Sequence, residues 1–101
     1  MDQVAILALL QAKPGKEQEV EEFLKSAQPL AVQEAGTTTW YAVKLGPTKF
    51  GIFDTFPNQT GRDAHLTGEI AKALFARAEE LFAVPPQGEM LDILAAKAPG
   101  H

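Results

Sequence analysis

Residues 3 to 11, QVAILALLQ, form a nearly unbroken apolar run that ends at the polar stretch KPGK. The run is too short to cross a bilayer and reads as a strand buried on both faces. KFGIFDTF, at 49 to 56, is a second strand of the same kind. A sheet that takes in two such strands must be covered on both sides, and this limits the fold more than any other feature of the chain.

The remaining segments supply only part of that cover. Over residues 16 to 28, Val20, Phe23, Leu24 and Ala27 recur at helical spacing. Glu17, Glu19, Glu21 and Glu22 crowd the first turns, where the positive end of the helix dipole favours them, and they read as a wet face. Pro29 is expected to kink or restart this helix, with its second part running through LAVQEA to Gly36. TTTWYAVK (37 to 44) is β-branched and aromatic and predicts a strand; LGPT turns the chain into the strand at 49 to 56. Pro57 and Asn58 end that strand, with Asn58 placed to cap a short helix through His65. A longer helix, EIAKALFARAEELF, follows, with Ile70, Leu74, Phe75, Leu81 and Phe82 on one side. Pro85-Pro86 stops it before a last strand, EMLDILAAK.

The order β-α-β-β-α-β predicts an α+β, ferredoxin-like fold: one domain over residues 1–101 with a four-stranded antiparallel sheet. With right-handed crossovers, strands one and three lie in the middle and strands two and four at the edges. Two helices cover one sheet face only. The other face stays apolar, so a second copy of the chain is expected against it as a homodimer, with room for a small molecule between sheet and helices.

Composition narrows the function classes. Thirteen acidic residues against nine basic give a net charge of −4, and the basic residues are spread singly from Lys13 to Lys97, unlike a nucleic-acid phosphate track. No cysteine is present, and one of the two histidines is His101, so thiolate chemistry and a multi-histidine metal site are not expected. Asp2 stands where a signal peptide would carry basic residues; a cytoplasmic protein without a membrane span is expected.

Two residues break the apolar pattern in a chemically useful way. Asp54 sits inside the strand at 49 to 56, where a carboxylate is costly unless paired, so it is expected to orient His65 or Arg62 or to bond the nearby helix start. His65, with an ordinary pKa near ~6.5, would serve as a base if it faces a pocket, or would pair with Glu69 one turn on. Trp40 and Tyr41 are adjacent on a strand, so they point to opposite faces. Phe53, Phe56 and Phe75 read as core, and Arg62 as a solvated charge or an anchor for an acidic group.

The order of elements, EAG before the second strand, and the spacing F-x-I-x-D-x-F-x-N followed by AHL together resemble the antibiotic biosynthesis monooxygenase (ABM) family of dimeric α/β barrels. Asp54, Phe56, Asn58 and Ala64-His65 stand at that family's positions, and the likeness covers nearly the whole chain. The resemblance implies a cofactor-independent monooxygenase acting on a small aromatic or quinol-like substrate. Its catalytic residues would be His65 and Asp54, its pocket would include Trp40, Tyr41, Phe56 and Arg62, and it would need no metal or other cofactor. Haem-degrading relatives carry an Asn on the first strand, a Trp near the second helix and a haem-ligating His beyond it; here Leu7 and His65 occupy the first two places and no later helical histidine exists. The alternatives are a non-catalytic, small-molecule-binding or stress-associated dimer, and a dimerisation module whose inter-layer space is filled by side chains.

Overall fold

The computed structural model describes residues 2–98, and His101 lies outside them. Eight elements follow in order: β1 (Val4–Gln11), α1 (Glu17–Gln33), β2 (Thr39–Lys44), β3 (Lys49–Phe56), α2 (Gln59–Leu66), α3 (Glu69–Ala76), α4 (Ala78–Leu81) and β4 (Gln87–Asp92). The sheet order is β2-β3-β1-β4 with every pair antiparallel, so the two apolar strands occupy the middle as expected.

Strand register sorts the side chains into two layers. Ile6 faces Asp54, Ala8 faces Ile52 and Leu10 faces Phe50 across β1 and β3, while Trp40 lies beside Asp54 on β2. This set meets the helices. Phe50, Ile52 and Leu10 join Val20, Phe23, Leu24, Leu74, Leu81 and Phe82 in one buried cluster. Each fully buried side chain of this size contributes about 1.5–3 kcal/mol through area removed from water. The middle of the layer between sheet and helices is therefore packed with side chains.

Three sequence expectations change in detail. Pro29 does not interrupt α1, which runs unbroken through it. Phe23, Leu24, Ala27 and Ala31 are buried on either side of the proline, and their packing outweighs the roughly 3 kcal/mol that a proline costs inside a helix. The second long helix is divided at Arg77, which ends α3 and begins α4. The division lets Leu81 and Phe82 reach the core, whereas Phe75 is 62% exposed and is not a core residue. The last strand spans Gln87–Asp92 and does not continue to Lys97.

Tyr41, Val43, Leu7, Leu9 and Phe53 point to the face that carries no helix. Leu9, Tyr41 and Val43 are exposed, so an apolar sheet surface is left open on the single chain. One end of this face is covered from within: Ile93 N–H donates to Gln3 C=O (2.9 Å), and Ala95–Ala98 share a cavity with Tyr41, Phe53 and Thr55. Ala5 and Thr55, on this same face, are buried, and Thr55 Oγ1 donates to Asp2 Oδ2 at 2.6 Å.

Backbone contact between two glycines seats α2 against the end of α1. A Cβ on Gly61 would stand 2.5 Å from the Gly36 carbonyl oxygen, and one on Gly36 would stand 3.0 Å from Gly61 Cα. Asn58 caps α2 by accepting from Gly61 N–H at 3.0 Å, which fixes that first turn. Gly61→Ala is expected to lower unfolding free energy by about 1–3 kcal/mol in urea titration, because backbone atoms cannot yield to the added methyl. Gly46→Ala, whose methyl meets nothing within 4 Å, should stay within about 0.5 kcal/mol of the parent.

Candidate functional site

The glycine contact brings Glu34, at the C-terminal cap of α1, up to His65 in the last turn of α2. His65 Nδ1 lies 2.5 Å from Glu34 Oε1, and His65 Nε2 lies 2.8 Å from Asp54 Oδ2. The imidazole is thus held between two carboxylates from two different layers. Thr37 Oγ1 also donates to Glu34 Oε1 at 2.9 Å, and the Phe56 ring packs beside the imidazole with centroids 5.4 Å apart.

Burial at the three groups is deep and uneven. Side-chain exposure is 1% for Asp54, 9% for His65 and 18% for Glu34. The Asp54 contact is close but poorly aligned with the ring N–H, since neither Asp54 oxygen completes a hydrogen bond. Glu34 Oε2 is likewise buried without a donor. The two carboxylates occupy opposite edges of the ring, so their oxygens do not converge. Among the described residues no group of three or more His, Cys, Asp or Glu side chains is arranged to hold a metal ion.

Burial of the ring by itself would push the His65 pKa down. The close contacts and negative charges of Asp54 and Glu34, one at each ring nitrogen, overcome that effect and raise it to about 9. At neutral pH the ring is therefore an imidazolium with both nitrogens engaged. Position adds to this, because His65 is the basic residue in the last turn of α2, where the helix dipole favours a cation.

A cavity of about 310 Å³ opens beside the cluster, walled by Glu34, Gly36, Gly61, Ala64, His65 and Gly68 among others. It lies between the end of α1, the loop after it, and the α2–α3 corner. Of the residues singled out from the sequence, the structure brings Asp54 and His65 together, with Phe56 against the ring. His65 pairs with Glu34 and not with Glu69, which lies 3.7 Å from Lys72.

Phe56 packs beside the ring but is not part of the cavity wall, and neither are Trp40, Tyr41 and Arg62. Trp40 points to the helix side, half-buried, and borders a shallow crevice between α1 and β2. Tyr41 is 57% exposed on the open sheet face. Arg62 is half-buried, its Nη1 donating to Leu91 C=O at 3.2 Å and Ala5 C=O at 3.5 Å, so it ties α2 to β1 and β4. Glu34 is the residue that sequence reasoning missed, having counted EAG only as part of a family likeness. Its signal was a carboxylate directly before Ala-Gly at a helix end, where the dipole repels an anion and a nearby cation is required.

Because the folded pKa of His65 lies above its ordinary value, its contribution to stability is fully present below about pH 6.5 and is lost as the pH climbs through about 9. Urea titrations should show unfolding free energy falling across that window in the parent and a shallower fall in His65→Gln. Proton NMR of the ring should place its midpoint near 9 and not near 6.5.

No protein-family model matches the chain, and no curated protein matches it. Among solved structures, the NE2512 protein of Nitrosomonas europaea, of unknown function, is 50% identical with a TM-score of 0.97, over 100% of this chain and 98% of that one. A candidate antibiotic biosynthesis monooxygenase from the same organism is 15% identical, with a TM-score of 0.81 over 91% of this chain and 99% of its own. A further candidate of that description, from Caulobacter crescentus, is 20% identical with a TM-score of 0.77 over 93% and 92%. These last two share the fold. The chain belongs to the family of the Nitrosomonas europaea NE2512 protein, and its four-stranded α+β architecture is the ABM fold.

Proposed function

We propose that this chain is an ABM-type protein that binds a small aromatic, quinol-like molecule in the cavity beside Glu34 and His65 and oxidises it with dioxygen. The observation that carries the reading is the buried carboxylate–imidazolium–carboxylate cluster bordering a cavity of about 310 Å³, a volume at the small end of ligand pockets. A phenol is activated toward dioxygen by losing a proton. His65, with both nitrogens facing carboxylates, is a poor acceptor for that proton; Glu34, the carboxylate beside the ring in the cavity wall, is the candidate acceptor. In the overall reaction a ring C–H becomes a carbonyl, the second oxygen atom leaves as water, and the substrate supplies all the electrons. Purified metal-free protein given a panel of phenols and hydroquinols should consume oxygen above the protein-free blank, and Glu34→Gln should lower that rate by roughly 10²–10⁴-fold. Absence of uptake with every member of the panel would refute the oxidation.

A second reading, non-catalytic binding in the same cavity, is favoured by the charge state of His65, whose raised pKa leaves no base on the ring at neutral pH. Saturable binding without oxygen uptake distinguishes it.

We also propose that the open sheet face is the homodimer interface. Leu9, Tyr41 and Val43 are exposed beside half-buried Leu7 and Phe53, an apolar surface unusual on a monomer. Sedimentation at micromolar concentration should give twice the chain mass, and Val43→Arg should give a folded single chain. A parent protein that sediments as one chain would overturn the dimer.

A further inference from the structure

The imidazole of His65 faces an acid at each nitrogen, and its proton count decides how many of them it can hold. As an imidazolium it offers two N–H groups, Nδ1 toward Glu34 Oε1 at 2.5 Å and Nε2 toward Asp54 Oδ2 at 2.8 Å. As a neutral ring it keeps one N–H and turns a lone pair toward the other carboxylate, so that contact becomes repulsive. One of the two acids must then give way.

Asp54 and Glu34 differ in what else they can reach. Asp54 is 1% exposed in the middle of the sheet, neither of its oxygens completes a hydrogen bond, and among the described residues the ring is its one ion-pair partner. Arg62, one turn before the ring on α2, is committed to the carbonyls of Ala5 and Leu91. Glu34 is 18% exposed at the end of α1, and Thr37 Oγ1 donates to the same oxygen that faces the ring. A carboxylate stripped of its cation costs far more inside the sheet than at a helix end next to water. The remaining N–H therefore stays with Asp54, and Glu34 is the side that lets go.

The contact that is lost spans the cavity. One side of the wall is the end of α1 with residues 35–37, and the other is α2 with the start of α3. Among the described residues, Glu34–His65 is the only hydrogen bond or ion pair that joins the two sides. The Gly36–Gly61 approach beside it is a contact of backbone atoms with no hydrogen bond between them. Glu69, the remaining charged group of the wall, is an acid beside Lys72 and offers Glu34 no replacement.

We infer that the Glu34–His65 contact is a proton-operated latch on this cavity: loss of the ring's second proton releases Glu34, keeps Asp54, and frees residues 34–37 from α2 so that the cavity opens. The latch governs access whatever ligand the cavity takes. It is shut at neutral pH and opens as the pH rises through about 9, where the ring loses that proton.

NMR of the full chain at about pH 7 and about pH 10, on either side of the ring's titration, tests both halves of the device. Nitrogen-15 shifts should place the proton of the neutral ring on Nε2, facing Asp54. Carbon-13 relaxation should show the backbone order parameters of residues 35–37 falling from about 0.85 to below about 0.6, with those of β3 unchanged. In Asp54→Asn the single N–H of the neutral ring is free to stay with Glu34, so residues 35–37 should remain ordered at the higher pH. A neutral ring protonated on Nδ1 in the parent overturns the latch, and so do residues 35–37 that stay ordered while the ring titrates. Loss of order through β3 at the same pH also overturns it, since the whole chain is then unfolding, as does mobility of residues 35–37 in Asp54→Asn. Should Asp54→Asn fail to fold, the parent's tautomer and order parameters decide the matter.

Discussion

The pairing of one imidazole with two carboxylates joins every layer of this protein. Asp54 belongs to the middle of the sheet, His65 to the last turn of α2, and Glu34 to the end of α1. None of the three is tolerable where it stands without the others. A carboxylate 1% exposed in an apolar strand needs a cation, and a buried imidazolium needs an anion. An acid at a helix C-terminus needs something to offset the dipole. The cluster resolves the three demands with one set of contacts and fixes the spacing between strand, helix and loop as it does so.

The local backbone is arranged to allow that meeting. Gly36 and Gly61 bring two main-chain segments closer than any side chain would permit, and Asn58 holds the first turn of α2 in place. The cavity beside the cluster lies at this same junction: Gly36, Gly61 and Gly68 contribute to its wall together with Glu34, His65 and Glu69. The imidazole in that wall is held between two carboxylates, which is a different state from the free imidazole base that the chain's one internal histidine brings to mind.

The architecture was largely legible in the sequence. Two strands dominated by apolar residues were expected in the middle and lie there, and the Asn58 cap and the hairpin at LGPT marked the boundaries of the second. The departures have a common physical origin in packing that outweighs local propensity. Pro29 stays in a helix because the residues around it are buried on one stripe, and Arg77 divides a helix whose two halves must face the core at different angles. Phe75 was assigned to the core by periodicity and is exposed because that periodicity does not continue across the division.

For the site, the sequence by itself determined which groups were out of place: Asp54 in an apolar strand, His65 on a short helix after it, and a glutamate where α1 must end. These are local facts, set by residue type against a periodic background, and no contact is needed to see them. Only the tertiary structure decided that the three belong together, because Glu34 and His65 are 31 positions apart and are joined by the approach of two glycines that no pattern of hydrophobicity encodes. It also decided that Trp40, Tyr41 and Arg62 face elsewhere, since strand register and the path of one long side chain are fixed by packing across the whole sheet.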